Sequence, residues 1–515
     1  MINGKGKNDR NKKIRKEQKE YEKRQYEIKH EEFVHLLHPF IIGDQNLLGQ
    51  KQLVLAQWII DEDWTLGQDK SRQPDEILDG LIDGEILWFS IINLDMAKTD
   101  LRFFRGENFF YKPYLYGMYL VVNQKNRRFI NSNRDAILRS VKESIPCRLN
   151  RLKTYTEGRE NNEIDMTVVF SASPFRKSGS TIVFNITTDN EDERRELAEL
   201  QALSNAIDGQ WSGIKEDCVL TSPEIAYQGI QNVITRPCFS GNIRIYNVGQ
   251  GFCAYFRNGS RFRMMIDFGV DKSYWSNSCK SLSSYQKEIV RRNYNAISRC
   301  IPHCVFLTHW DLDHILGICL FNRDELPDIW IAPDVSENER TEKFLCRLIT
   351  YLHRRNNLIM IGALCNGQQV WSNEFFTIYK GNTGQRGRTK KNKKNNDQGL
   401  LLVLRTADEE KIIFPGDCGY TAWPSTLLPL DCTILIVPHH GGEAGNLSEI
   451  SEPSSGCRNG IAIFSYGENN IYGHPDSSHV QCLERIGYQR VNLMDYSSIE
   501  INIENRFISN ILFNP

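Results

Sequence analysis

The tightest constraint on this chain is the stretch Cys304–Gly317, which reads CVFLTHWDLDHILG. Its apolar opening, Cys304–Leu307, has the length and character of a buried strand. That strand delivers His309, Asp311, Asp313 and His314 into the loop at its end, and Ile315–Leu320 then reads as the start of a helix. Four metal-competent side chains within six residues, just past the C-terminal end of a strand, stand where α/β folds place their active sites. On a tight loop, alternate residues face two neighbouring points, so His309 and Asp311 can serve one ion while Asp313 and His314 serve another. A capping cluster at a helix N-terminus accounts for the two aspartates. It leaves the flanking histidines unexplained.

The same layout recurs along the chain. Arg263–Ile266 leads into Asp267-Phe268-Gly269, Lys411–Phe414 into Pro415-Gly416-Asp417, and Thr433–Val437 into Pro438-His439-His440-Gly441-Gly442. Ile461–Ser465 leads into a longer turn, Tyr466–Pro475, which carries Asn470, Tyr472 and His474. Each time a short apolar run ends in a small-residue turn bearing Asp or His. The glycines let the backbone turn sharply and come close to whatever is bound. Taken singly, a Gly-Asp or a His-Pro means little; their shared position after strands makes them a set.

From Gly241 strand and helix patterns alternate. IRIYNVGQGFCAYF, the turn signal Asn258-Gly259 and FRMMIDFGV come first. Cys304–Thr308, Asp328–Ala332, a helix over Glu337–Arg355, Gly399–Arg405, Lys411–Phe414, Thr433–Val437 and Ile461–Ser465 follow. This predicts a layered α/β domain over 241–515. One interruption, Gly381–Asn396, is a glycine-rich loop with six Lys or Arg and no apolar or acidic residue, so it must be exposed. Residues 31–238 read as an α+β domain. The expected elements there are a helix capped by Asn133, strands at Met166–Phe170 and Thr181–Ile186, and a helix over Glu193–Ala206 that is apolar at Leu197, Leu200 and Leu203. No chemistry is legible in this region, which is open to a substrate, a protein partner or a regulator. Residues 1–30 are a basic charged arm without an apolar stripe, read as a disordered start running into a solvated helix. Such an arm suits a nucleic-acid binder and a solubilising tail alike.

Composition removes several classes. Sixty-three Lys and Arg against sixty-four Asp and Glu give a formal charge of −1, so any case for a polyanionic partner has to be local. No apolar run approaches the ~18 residues that cross a bilayer, and no membrane partner is expected. Fourteen cysteines occur as singletons, without a CxxC pair, and the N-terminus has no signal-peptide pattern. Reduced thiols in a cytoplasmic protein are the expectation. No P-loop or dinucleotide fingerprint is present.

At this point the motifs resemble the metallo-β-lactamase superfamily, and in particular the ComEC-like hydrolase branch. The resemblance is carried by Asn247–Gly251 (N-V-G-Q-G), Ile266–Gly269 (I-D-x-G), Thr308–Gly317 (T-H-x-D-x-D-H-x-x-G), Gly416-Asp417, Pro438–Gly442 (P-H-H-G-G) and Ser465–Pro475 (S-Y-G-x-N-N-x-Y-G-H-P). It covers about residues 241–501, in the family's motif order. It implies an α/β fold, an αββα sandwich preceded here by the α+β domain, with a metal site at one edge of the paired sheets. It also implies that His309, Asp311, Asp313, His314, Asp417 and His439 ligate two divalent ions, with Asp417 as the bridge. Asp267 would orient ligands from behind. His440 and His474, with Asn470 and Tyr472, would meet the substrate or leaving group.

Asp311 replaces the second histidine of the commoner H-x-H-x-D-H pattern, and no further G-H-T segment lies between Gly317 and Asp417. Harder oxygen ligands move preference towards Mn²⁺ or Mg²⁺ while leaving Zn²⁺ open, and manganese is the first expectation. Two such ions sharing a water generate a hydroxide near neutral pH. Asp313 would take the proton of that water, and His440 or His474 would give one to the leaving oxygen.

The expected activity is therefore that of a metal-dependent phosphodiesterase or nuclease acting on DNA or RNA. The basic loop, with Arg386, Arg388, Lys390, Lys391, Lys393 and Lys394, falls between motifs and could grip backbone phosphates. The bland reading is a solvated insertion. A hydrolase of a small ester or phosphodiester is the alternative enzyme, and a non-catalytic sensor or assembly protein retaining the fold is the alternative outside enzymes.

Overall fold

The structure, a computed structural model, describes residues 52–59, 73–81, 86–105, 117–121, 124–141, 143–150, 153–155, 169–171, 181–184, 190–219, 222–234, 240–259, 262–271, 283–299, 301–320, 326–335, 343–382, 396–406, 410–428, 430, 432–445, 447, 450, 460–467, 473–505 and 507–515. Everything below concerns these residues. They form a mixed α/β protein that divides into two compact units, one up to Gln210 and one from Trp211 onward, with 343–344 counted in the first. No described helix is long and apolar enough to cross a membrane.

The first unit holds a seven-stranded sheet. Its strands are β1 (Gln52–Ile59), β2 (Ile86–Ile92), β3 (Gly117–Val121), β4 (Ile145–Asn150), β5 (Lys153–Tyr155), β6 (Val169–Ser171) and β7 (Thr181–Phe184), in the order β5-β6-β3-β2-β1-β4-β7. Leu55 of β1, Ile92 of β2, Ala97 of the helix Leu94–Phe104 and Leu200 of the helix Glu191–Val219 share one buried cluster, with Leu197 and Leu203 packed against it. The leucine spacing read from the sequence is thus the face that this long helix buries. Asn133 does precede a helix, Arg134–Arg139, but makes no side-chain cap. Its amide instead donates to the carbonyl of Phe129, 2.8 Å away in the preceding helix. The basic arm, residues 1–30, lies outside the described residues.

The second unit is built from two sheets. The first joins β8 (Gly241–Tyr246), β9 (Ala254–Asn258), β10 (Phe262–Ile266), β11 (Cys304–Phe306), β12 (Ile329–Pro333) and β13 (Leu358–Ile361) to the late hairpin β21 (Ser498–Glu504) and β22 (Phe507–Asn514). The other runs in order through β14 (Gln369–Ser372), β15 (Phe376–Lys380), β16 (Leu400–Arg405), β17 (Lys411–Phe414), β18 (Ile434–Ile436), β19 (Ile461–Phe464) and β20 (Gln489–Asn492). In each sheet a run of parallel strands, β10 to β13 and β17 to β20, adjoins antiparallel neighbours.

Alternation along the strands explains how the sheets pack. Leu400, Leu402 and Leu404 of β16 share a core with Ile243, Met264, Phe306 and Ile501 of the other sheet, while Leu401 and Val403 face the opposite way. There they meet a cluster that includes Val480, Cys482 and Leu483 of the helix Ser477–Arg485. This is why β16 reads as an unbroken apolar run: both of its faces are covered. Phe256 of β9 meets Phe376 of β15 edge to face, with ring centroids 5.2 Å apart, inside the shared core. On the outer side of the first sheet Tyr294, from the helix Ser284–Arg299, stacks on Phe268 and donates to the carbonyl of Gly269 at 2.5 Å.

Candidate metal centre

The parallel strands of both sheets end at one place. Asp267 follows β10, Thr308 to His314 follow β11, Asp417 follows β17, His439 and His440 follow β18, and Ser465 follows β19. The backbone is strained where these residues leave their strands. Of five described non-glycine residues with positive φ, three lie here: Asp267 (55°), His439 (52°) and His440 (54°). Gly416 also has φ 56°, and a Cβ added there would lie 2.4 Å from Thr308 Oγ1. Only glycine lets the Asp417 turn press against Thr308.

Hydrogen bonds behind the site fix which nitrogen each histidine offers. Asp267, fully buried, accepts from the Thr308 N–H at 2.6 Å and from the Thr308 hydroxyl at 2.7 Å. Its Oδ2 also lies 2.8 Å from His314 Nδ1. The Thr308 hydroxyl has given its one proton to Asp267, so at 3.0 Å from His309 Nδ1 it can only accept. His440 Nδ1 is 2.7 Å from the Ser465 carbonyl, and His439 Nδ1 is 3.0 Å from that of Glu443. In the neutral ring every Nδ1 therefore carries the proton, and every Nε2 presents a lone pair.

Those four lone pairs point at carboxylates. His309 Nε2 lies 3.5 Å from Asp311 Oδ2 and 3.7 Å from Asp417 Oδ2, and His439 Nε2 is 3.9 Å from the same Asp417 oxygen. On the other side, Asp417 Oδ1 is 3.1 Å from His314 Nε2 and 3.7 Å from His440 Nε2, while Asp313 Oδ2 is 3.3 Å from His440 Nε2. His314 and His440 bring their Nε2 atoms to 3.3 Å of each other, acceptor against acceptor. His309 Nε2 and Asp417 Oδ1 are buried without any hydrogen bond. Such a set is unfavourable unless positive charge enters it. Ligand bonds of ~2.0–2.2 Å put neighbouring donors roughly 3.0–3.5 Å apart, close to these separations. Two triads, His309–His314–Asp417 and Asp313–His314–His440, each have their donor atoms within 4.8 Å of one another and could hold a metal ion.

The electrostatics of the bare protein point the same way. Burial alone would push the Asp417 carboxyl up, but the imidazoles of His314, His440 and His309 outweigh it and hold the group well below the ordinary carboxylate range. Burial likewise opposes a charge on His314, yet Asp417 and Asp267 hold its pKa well above the usual imidazole value. A proton takes the position a metal would displace.

The structure brings together His309, Asp311, Asp313, His314, Asp417 and His439, the expected ligands. It adds His440, expected at the substrate: its side chain is 2% exposed against 27% for His439, and its Nε2 faces Asp313 and Asp417. His474 stands at the rim, edge to face with His439 at 5.2 Å and so close to Gly442 that a Cβ there would lie 2.2 Å from its ring. Burial, with His439 and His440 alongside, pushes its pKa down to about 3. Asn470, Tyr472, Arg386, Arg388, Lys390, Lys391, Lys393 and Lys394 lie outside the described residues. Trp310 is buried, its indole N–H on the carbonyl of Pro333 at 2.8 Å, so it packs beneath the loop. Thr308 and Ser465 head two of the sequence motifs, but the sequence assigns neither a role. The signal for Thr308 is its place between a buried strand and the first histidine.

No family model and no curated protein matches the chain. Among solved structures, a protein of Parabacteroides distasonis with the provisional name of metal-dependent hydrolase aligns over 49% of this chain and 93% of its own, at 13% identity and a TM-score of 0.27. A likeness that slight carries nothing about this chain.

Proposed function

We propose that residues 241–515 are a metal-dependent hydrolase with the αββα arrangement of the metallo-β-lactamase superfamily, in its ComEC-like branch, acting on phosphodiesters and foremost on nucleic acid. The observation that carries this reading is the division of donors about Asp417. His309, Asp311 and His439 gather on the side of Oδ2, and His314, His440 and Asp313 on the side of Oδ1. That division suits two divalent ions bridged by Asp417. When bound, such ions supply Lewis acidity, making water a nucleophile near neutral pH and stabilising charge on a phosphate.

The chain's own residues do the rest. Asp267 and Thr308 hold His314 and His309 in the tautomer that faces inward. Asp313, whose side chain is 17% exposed, is the carboxylate placed to accept a proton from water. His440 spends its one N–H on the Ser465 carbonyl and turns its Nε2 lone pair toward Asp313 and Asp417, so it would ligate rather than donate a proton. His474, with its depressed pKa, is neutral at physiological pH and offers an N–H to a substrate oxygen, not a transferable proton. The recruitment of His440 raises the imidazole count from three to four, which suits zinc better than the expected set did; manganese and zinc are both carried forward.

Support for a polyanion comes from where the basic loop is tethered. Leu400 N–H donates to the Thr308 carbonyl at 2.8 Å, and Gly381 N–H to the Gly399 carbonyl at 2.9 Å. Both stems of the segment that carries six cations therefore leave the fold beside the metal loop. The test is metal analysis of the purified chain, then incubation with single- and double-stranded DNA, RNA and a chromogenic phosphodiester, with Mn²⁺, Zn²⁺ or Mg²⁺. Cleavage lost in Asp417→Ala is expected. Deleting Gln385–Lys394 should weaken nucleic-acid binding and flatten its salt dependence. Hydrolysis of the small diester alone would move the reading to small substrates, and no hydrolysis with any ion would end it.

A further inference from the structure

The two halves of the centre ride on different sheets. Asp267, His309, Asp311, Asp313 and His314 follow strands of the β8–β13 sheet, whereas Asp417, His439 and His440 follow strands of the β14–β20 sheet. What lies between is mostly apolar core, whose attraction has no direction, so few contacts such as the Leu400–Thr308 backbone bond set one sheet's position on the other directionally. Donor separations in a metal site have a tolerance of only a few tenths of an ångström.

At this same end a buried ion pair joins the sheets. Lys380, the last residue of β15 and 0% exposed, places its Nζ 3.1 Å from Asp334 Oδ1. Asp334 follows β12, and its own N–H is tied to the carbonyl of Ile361 at 3.1 Å. The corner it occupies also holds the metal loop, since the Trp310 indole N–H reaches the carbonyl of Pro333, the residue before. Lys380 in turn leads directly into Gly381, whose N–H pairs with Gly399 next to the Leu400–Thr308 bond. One side chain from each sheet thus meets at the corner that holds the metal loop. A buried ion pair contributes little net stability compared with an apolar pair of equal size, and its best attested use is to specify one arrangement among several.

We propose that the Asp334–Lys380 pair is a positioning device that sets one half of the metal centre on the other. This rests on the metal-centre reading. Removing one partner alone strands a buried charge and lowers stability, so the informative variant is the double replacement Asp334→Leu with Lys380→Met. Full-length wild-type and double-variant proteins are compared by melting in EDTA, by titration with Mn²⁺ and Zn²⁺, and by the visible spectrum of the Co²⁺ form. The expected result is an apo protein that melts at or above the wild-type temperature, binds metal at least tenfold more weakly, and shows a shifted Co²⁺ spectrum. The charge-swapped pair, Asp334→Lys with Lys380→Asp, should recover part of the affinity. Wild-type affinity and spectrum in the double variant, or losses that only track apo melting temperature, would overturn the inference. Wild-type protein that takes up no ion overturns the metal-centre reading and this inference with it.

Discussion

Replacing Thr308 by valine keeps the shape and removes one hydroxyl. That hydroxyl donates to Asp267 at 2.7 Å and accepts from His309 Nδ1 at 3.0 Å, and both partners are buried. A hydrogen bond to a carboxylate contributes about 1.5–3 kcal/mol, and leaving the buried Nδ1–H without an acceptor costs a further ~1–3 kcal/mol. The two belong to one network, and the Thr308 N–H still reaches Asp267 at 2.6 Å, so the terms do not add in full. A loss of about 2–4 kcal/mol is expected, which is a drop of roughly 3–6 °C in the apo melting temperature for a unit of this size. The larger effect falls on metal binding. With no acceptor at Nδ1, His309 escapes the penalty by moving its proton to Nε2, beside Asp311 and Asp417. That tautomer has no lone pair for an ion, and loss of such an outer partner typically weakens metal affinity 10- to 100-fold. Calorimetric titration with Zn²⁺ and Mn²⁺, together with ¹⁵N shifts of the His309 ring, reads both consequences. Thr308→Val protein with wild-type affinity and an unchanged His309 tautomer would refute the tautomer argument.

Gly416→Ala should be worse than its size suggests. The new methyl would lie 2.4 Å from Thr308 Oγ1 on backbone in the left-handed region, so apo stability should fall by more than ~2 kcal/mol and metal binding with it, as thermal melts and titration would show. His440→Ala should abolish hydrolysis and weaken metal uptake more than His439→Ala does, because His440 is buried and anchored by Ser465 while His439 is partly exposed. The pH dependence should differ between apo and metal-loaded protein. In the apo protein His314 titrates above its unfolded value near 6.5, so its contribution is complete below pH ~6.5 and fades as pH rises through the higher folded value. Asp417 works in the opposite sense: its contribution is present above pH ~4 and is lost only as pH falls towards its depressed value. Melting in EDTA should therefore decline from neutral to alkaline pH, and saturating metal should flatten that decline.

Most of the second unit was legible because its strands are short apolar runs closed by glycine turns, and such runs have few other places to go. β17, for one, occupies the span read from its pattern, Lys411–Phe414. The cluster after β11 was legible because its spacing has no ordinary structural explanation. The roles of His439 and His440 were not. Adjacent residues on a strand would face opposite ways, but both have positive φ here, and the turn presents both Nε2 atoms to Asp417. No local pattern announces that conformation ahead of Gly441-Gly442. The pairing of Asp334 with Lys380 was equally hidden, since two residues far apart in sequence meet only once both sheets exist. In the first unit the cap expected of Asn133 is absent because a carbonyl of the preceding helix offers its amide a partner.

The chain leaves its first sheet after β13, builds the whole of the second, and returns to lay β21 against β8, so that Ile501 pairs with Ile243. During synthesis, β8 has emerged from the ribosome long before its neighbour exists. Until β21 arrives, one side of β8 is an open ladder beside apolar surface, the kind of exposed intermediate that chaperones hold. Folding of this unit is therefore expected to be slow and to finish late, with the β8–β21 pairing among its last steps.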